Sequence, residues 1–451
     1  MPQQSKPRSS SLRALRPLLA FMRPYTRRYA AGLGLVVASS AIAAAIPWIV
    51  RRAIDRLGAG APPAELWTLA AAMVVVALVA GAGRYGMREL LNGLSRHVEH
   101  DLRAAAFARV VTLDAPWLGR QRTGDLMARM TNDIGAVRMV AGPAIMYLVN
   151  TIAGGLFALV FMLRIDARLT GLALLPMVLL PVVMAVLGAM IHVRFEAVQE
   201  QFGALTTHAQ ENLSGARIVR AFRQERAEEA RFAALNDEYR RRNMRLVTLQ
   251  GAMSPGLQLL AGLGAVIVLG LGGRLVLQGA ISTGDFVAFG LYLGMLTWPL
   301  IALGWVINLF QRGAASMARL NAILDAEPEV TSPRYAKTLP PARGGRTLEF
   351  RGVGFHYPPR EGDAPRWVLR DVSFTVPAGA TVGLVGATGS GKSALLDLVP
   401  RLFDPQEGEV LLDGIPVRHL PLADLRGAIG YVPQESLLFS EPLEANLAYG
   451  G

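Results

Sequence analysis

The sequence predicts a membrane-embedded all-α domain of six helices, followed by part of an α/β domain built around a glycine-rich loop. Three observations carry that expectation. Of 451 residues, 52% are hydrophobic and only 18% charged, too apolar for an ordinary soluble chain. Six apolar runs are long enough to cross about 30 Å of hydrocarbon. Beyond them, a short β-rich run ends in G-A-T-G-S-G-K-S and continues as a helical pattern.

Taken in order, residues 1–28 read as a cytoplasmic segment. Residues 1–11 are polar and carry Lys6 and Arg8, and no apolar core with a small-residue cleavage site follows, so a signal peptide is not expected. Leu12, Leu15, Leu19 and Met22 recur at helical spacing between Arg13, Arg16 and Arg23, the pattern of an amphipathic helix on a membrane surface.

The spans are expected at 29–50, 66–83, 139–163, 169–191, 251–277 and 286–310, within a membrane domain of 29–325. Arginines cluster before the first span, after the second (Arg84, Arg88, Arg96, Arg103, Arg109) and after the fourth (Arg217, Arg220, Arg223, Arg240, Arg241, Arg242). Positive charge resists translocation, so these segments and both termini are placed in the cytoplasm. The net charge of +12 is then topological and not a nucleic-acid footprint. Arg51, Arg52 and Arg56 stand out against this pattern on the opposite side. The inward connections 84–138 and 192–250 are long, charged and helix-patterned, so their helices must project beyond the membrane.

Pro47, Pro143, Pro176, Pro181 and Pro299 are expected at kinks or span ends, and Gly290 and Gly294 at a close helix contact. Asn150, Gln258, Asn308, Trp48, Phe161, Trp298 and Trp305 are open to two readings, cavity lining or plain packing. His97, Glu99, His100 and Asp101 crowd like metal ligands, but a solvated helical face accounts for them better. Asn212-Leu213-Ser214 matches a glycosylation acceptor in a segment placed on the wrong side for a glycan. The absence of cysteine excludes disulfides, thiolate metal sites and cysteine nucleophiles.

Residues 326–346 are rich in proline and glycine without periodicity, and read as a linker. Strands are expected at 347–350, 353–357, 372–376 and 381–385. The last leads into Gly386, Ala387, Thr388, Gly389, Ser390, Gly391, Lys392 and Ser393, with a helix over 394–399. A glycine-rich turn between strand and helix lets backbone N–H groups approach phosphate oxygens. Lys392 would meet the β- and γ-phosphates of ATP, and Ser393 would ligate Mg²⁺.

These motifs, with those flanking them, resemble the ATP-binding cassette (ABC) exporters over nearly the whole chain. The segment Val353 to Pro358 is similar to the one whose aromatic residue stacks on adenine, which implies that role for Tyr357. Gly408 to Gly414, and Leu425-Arg426 through Tyr431-Val432-Pro433-Gln434, are similar to the family's hairpin and Q-loop. The resemblance implies that Gln434 reaches Mg²⁺ and the attacking water and senses the membrane domain. Leu438-Phe439-Ser440 and Asn446 to Gly450 resemble the exporter continuation. Arg122 to Leu126 with Asn132-Asp133, and Glu211 to Phe222, resemble the two intracellular loops whose coupling helices dock on nucleotide domains. Leu213-Ser214-Gly215-Ala216-Arg217 superficially resembles the L-S-G-G-Q signature, but lies in the wrong domain.

The likeness is to bacterial heterodimeric multidrug-type half-transporters. It implies a six-helix exporter domain and a partial P-loop NTPase domain at 347–451, C-terminally truncated because the signature, Walker B aspartate, catalytic glutamate and switch histidine do not occur in it. It further implies a multi-pass inner-membrane protein that pairs with a second half-transporter and moves a small amphipathic compound, drug or lipid, with no nucleic-acid partner. The 451-residue chain alone is expected not to hydrolyse ATP. An inactive or regulatory membrane fragment, and an importer on the exporter fold, are the alternatives.

Overall fold

The computed structural model describes residues 12–342, 344–358, 364–434 and 437–449, with the backbone alone at 178, 180, 181, 185, 254, 257, 261, 297, 298, 300 and 301. Residues 1–11 with Lys6 and Arg8, the side chain of Trp298 and Gly450 thus lie outside the described residues. Two compact units result, Met1–Leu102 with Asp133–Ala318, and Arg103–Asn132 with Arg319–Gly451.

The first unit is helical. It contains α1 (Leu18–Met22), α2 (Thr26–Gly58) and most of α3 (Pro63–Thr112). After α4 (Ala115–Arg120) and α5 (Thr123–Ala128) of the second unit, it resumes with α6 (Ile134–Met139), α7 (Ile145–Ile165), α8 (Ala167–Ser214), α9 (Ala216–Ala221), α10 (Glu225–Ile267), α11 (Gly273–Leu277) and most of α12 (Thr283–Leu324). Five described helical runs are long and apolar enough to cross a membrane. The sixth expected span lies in the 42-residue α12, whose described apolar part is Thr283–Leu296. At about 1.5 Å per residue, the 50 residues of α3 extend about 75 Å, far beyond the hydrocarbon thickness.

The N-terminal stripe is not one helix. Pro17 and Pro24 remove backbone donors, and residues 12–25 divide into 3₁₀ turns around the five-residue α1. Leu12 and Leu19 are exposed on its outer side, while Leu18 is buried against the bundle. The prolines do not end spans: Pro47, Pro176, Pro181 and Pro299 lie inside helices, and Pro143 sits in a π-helical turn, Val140–Ala144, between α6 and α7. Gly290 and Gly294 meet no neighbour within 4 Å among the described residues. Close approach occurs instead at Gly313, where a Cβ would lie 2.1 Å from Val140 Cγ2, and at Gly142, 2.8 Å from the Leu91 carbonyl.

Apolar burial holds the bundle at Phe289, Tyr292, Met162 and Leu169, and separately at Tyr29, Val36, Leu91 and Met146. Two buried tyrosines satisfy their hydroxyls on backbone carbonyls, Tyr29 on Ala141 (2.8 Å) and Tyr292 on Ala44 (2.9 Å). Helices α8 and α10 form a long antiparallel pair with polar rungs. Arg242 donates to the Ala197 carbonyl (3.0 Å) and Gln201 to the Leu235 carbonyl (3.0 Å), while His208 and Asn212 meet Glu228 at 3.2 and 2.8 Å. The side chain of Asn212 is thus engaged inside this hairpin.

The anomalous Arg51–Arg56 cluster is explained by its partners. Arg51 lies 2.9 Å from Asp285, Arg56 lies 3.1 Å from Glu65, and Arg52 sits over the Trp48 ring. Ser282 and Asp285 form a reciprocal capping box at the start of α12, at 2.9 and 3.1 Å. Asp55 of α2 adds a third cap, accepting from Ser282 Oγ (2.9 Å) and from the Gly284 N–H (2.8 Å). Asp55→Ala strips both acceptors and should lower stability by about 1–3 kcal/mol. Thermal unfolding of detergent-extracted protein measures this, and an unchanged midpoint would count against the cap.

The second unit holds a four-stranded antiparallel sheet of order β2-β1-β3-β4: β1 (Leu348–Phe355), β2 (Leu369–Val376), β3 (Glu407–Leu412) and β4 (Ile415–Pro416). The two expected strands at 347–357 are one, bent by register shifts between Phe350 and Phe355. Helices α13 (Lys392–Leu398), α14 (Leu422–Gly427) and α15 (Leu443–Leu447) complete it, with Phe350, Val353, Phe355, Leu398, Val410 and Leu425 in the core.

The expected strand at 381–385 is corrected: it joins no ladder. A strand exists by pairing, and neither this segment nor 429–433 has a ladder partner among the described residues. Val385 and Val432 are accordingly 99% and 92% exposed.

The proline-rich stretch 326–346 has neither helix nor strand among its described residues, yet it is pinned along its length. Asp114, which caps α4 through the Trp117 N–H, also accepts from the Val330 N–H (2.7 Å), and Arg120 pairs with Glu329. Further on, Thr331 O accepts from Arg401 (3.1 Å), Ser332 Oγ from the Leu422 N–H (3.1 Å), and His419 O from the Lys337 N–H (2.8 Å). The segment expected as a linker is therefore a strap stitched to residues 114–120 and to the sheet domain.

Candidate functional site

Glycine geometry shapes the loop 386–393. Gly389 and Gly391 have φ of +82° and +91°, a region that L-residues with side chains avoid. A Cβ at Gly391 would also lie 2.7 Å from Leu369 Cδ2 and 3.1 Å from the Val368 carbonyl. The loop then enters α13, which Ala394, Leu395 and Leu398 anchor in the core. Lys392 folds back over its own loop, donating from Nζ to Gly386 O (2.9 Å), Ala387 O (2.8 Å) and Ser390 Oγ (3.3 Å). Its charge thus sits at the centre of the glycine-rich turn, with Thr388 and Ser393 exposed beside it. An open loop, a central cation and a free hydroxyl fit a polyphosphate chain.

Tyr357 is 42% exposed and packs edge-on against Phe355 and Phe403, with centroids 5.0 and 5.3 Å apart. Its phenol is pushed up from the ordinary value, first by burial and then by the nearby Asp397 carboxylate. Tyr431 donates to Asp397 Oδ1 (2.7 Å), and that bond, aided by burial, pushes its phenol up to about 12. Asp397, on α13, therefore joins the surroundings of Tyr357 to the segment carrying Gln434, which is itself exposed three residues beyond Tyr431. Sequence reasoning missed Asp397, although its position four residues after Ser393 puts both on one helical face.

A tyrosine whose folded value exceeds its ordinary 10.0 favours folding while protonated. The contribution of Tyr431 is full below pH 10 and is lost as pH rises toward 12. Tyr431→Phe should therefore differ in stability from the parent by a constant amount below pH 10 and converge on it from 10 to 12. Denaturant unfolding across that range checks this, and a difference independent of pH would refute it.

The crowded His97–Asp101 stretch is engaged locally. Asp101 accepts from the Tyr25 hydroxyl (2.8 Å), Glu99 pairs with Arg96 and Arg138 (3.1 and 3.3 Å), and His97 Nδ1 lies 3.0 Å from the Gly93 carbonyl. In the bundle, a cavity of about 280 Å³ lies among α2, α3, α7 and α12, and Asn150 lines it as one of its two readings expected. Trp305 stands edge-on to Tyr147, another lining residue, at 5.0 Å. Phe161 instead stacks on Tyr292 in the apolar core.

A multi-span helical domain in one chain with a glycine-rich phosphate loop defines a membrane transporter of the nucleotide-driven class. Residues 29–300 match the family described as ABC transporter transmembrane region, and residues 369–446 match the family described as ABC transporter. The chain belongs to the ABC transporter family. It is 36% identical over 442 residues to the "Probable multidrug resistance ABC transporter ATP-binding/permease protein YheI" of Bacillus subtilis, covering 97% of this chain and 74% of that protein. It is 32% identical to the "Multidrug resistance-like ATP-binding protein MdlA" of Escherichia coli (97% and 73% covered), and 31% identical to the "ATP-dependent lipid A-core flippase" of Syntrophus aciditrophicus (96% and 71%). It is thus a multi-pass membrane protein with an ABC-type ATPase segment.

Proposed function

We propose that the chain is one half of an ATP-driven exporter that moves an amphipathic compound across a bacterial inner membrane, paired with a second half-transporter. The observation that carries the reading is the Lys392 cradle in the same chain as a largely apolar cavity within the helical bundle. In this reading Gly386, Ala387, Thr388, Gly389, Ser390, Gly391 and Lys392 hold the phosphates of ATP, and Tyr357 stacks on adenine. Ser393 and Gln434 supply hard oxygen donors that suit Mg²⁺, which when bound neutralises phosphate charge. The names of the relatives support export of drugs or lipid, and favouring one of two bundle states by nucleotide affinity would drive it.

The test is ATP-dependent accumulation of an amphipathic dye in inverted vesicles carrying the assembled transporter. Accumulation supports export, whereas ATP-dependent loss of preloaded dye would indicate import. The reading places both termini and the α8–α10 hairpin in the cytoplasm. A cysteine introduced as Arg226→Cys should thus react with an impermeant maleimide only in inverted vesicles, and labelling in intact cells would overturn the six-span topology.

A further inference from the structure

The bundle cavity has an asymmetric charge lining. Its polar wall is Ser39 and Ser40 on α2, facing Asn150 on α7, with Ser40 Oγ 3.2 Å from Asn150 Oδ1. Arg84 and Arg88, one helical turn apart on α3, also line it, and no carboxylate does. Both arginines are exposed and form no ion pair or hydrogen bond with any described residue. Every other side of the cavity is adaptable and apolar, with Met87, Met146 and Met295 contributed by three helices.

Position sharpens the argument. Arg84 directly follows the expected apolar span 66–83, so both guanidinium groups stand at its basic end, where a head group of opposite charge would lie beside the apolar region. The groove continues along α3 past Tyr85 to Asn92 and Arg96; its one carboxylate, Glu89, shares that groove with Arg28, Arg88, Arg96 and His97. Positive charge dominates throughout. Arg96 is already paired with Glu99, and the cations that line the bundle cavity itself are Arg84 and Arg88.

We propose that this cavity binds an amphiphile with an anionic head, a phosphate or carboxylate, its head on Arg84 and Arg88 and its apolar body among the methionines. This rests on the exporter reading and gives its substrate class: acidic amphiphiles are bound in preference to cationic ones. Guanidinium groups pair bidentately with such heads, and thioether side chains accept apolar bodies of varied shape.

The test uses the full chain in phosphatidylcholine nanodiscs with two probes of equal chain length, a dansylated undecanoate and a dansylated alkylammonium. The undecanoate should bind at least about tenfold more tightly, and the Arg84→Gln, Arg88→Gln double variant should weaken it about tenfold without weakening the alkylammonium. The double Arg→Lys variant should retain most of the preference, which separates charge from folding. Equal binding of the two probes, or loss of both in the Gln variant while the Lys variant keeps both, overturns the proposal. Competition by added phosphatidylglycerol that abolishes undecanoate binding would assign the site to membrane lipid and overturn it as a substrate site. In vesicles with the assembled transporter, charge-blind transport refutes this inference alone, whereas Arg-dependent binding without transport refutes the exporter reading and leaves the anion site standing.

Discussion

Lys392→Ala should reduce ATP-driven transport and MgATP turnover of the assembled transporter by about 10²-fold or more. Phosphoryl transfer depends on positioning and on charge placed where negative charge develops, and loss of a single preorganised donor costs about 10²–10³ in rate. Lys392 is preorganised: three acceptors of its own loop hold its ammonium within 2.8–3.3 Å. Those contacts are to backbone and hydroxyl groups at the surface, so the substitution should leave thermal unfolding without nucleotide nearly unchanged. The two readouts together separate a functional role from a structural one. Turnover within about threefold of the parent would remove Lys392 from the proposed chemistry.

Gly408→Val should unfold the sheet domain. Gly408 has φ +70°, and a Cβ there would lie 2.2 Å from the Arg351 carbonyl oxygen and 2.3 Å from that of Gly352. Both obstacles are backbone, at the place where the β1–β3 register shifts between Arg351 and Gly354, so no rotamer relieves them. Left-handed strain of about 1–2 kcal/mol adds to an overpacking cost of about 1–3, which together approach the stability of a whole domain. Limited proteolysis of the full chain should show residues 347–449 cleaved rapidly. Gly414→Asn is the matched control, since Gly414 also has positive φ (+74°) but open space around it. It should cost under about 1 kcal/mol, and equal damage from the two variants would refute the steric argument.

Much was legible before any fold was seen, because the signals are local. A span is recognisable from length and apolarity alone, and the phosphate loop from glycines at fixed spacing before a lysine. The strand at 381–385 was misread for a related reason: β-propensity is local, but a strand forms only against a partner. Likewise Pro17 and Pro24 broke a stripe whose periodicity looked helical, since proline removes donors that periodicity does not count.

By itself, then, the sequence determined the membrane-embedded helical domain, the glycine-rich cradle and the membership of both in one chain, all properties of neighbouring residues. Only the tertiary structure decided what meets across distance: Asp55 capping a helix 229 residues later, Asp114 holding Val330 of the strap, and Asp397 receiving Tyr431. It also turned Arg84 and Arg88 from markers of sidedness into the cationic wall of a cavity. Such encounters are set by how helices rotate and pack, and a one-dimensional pattern records a helix's faces but not which neighbour each face meets.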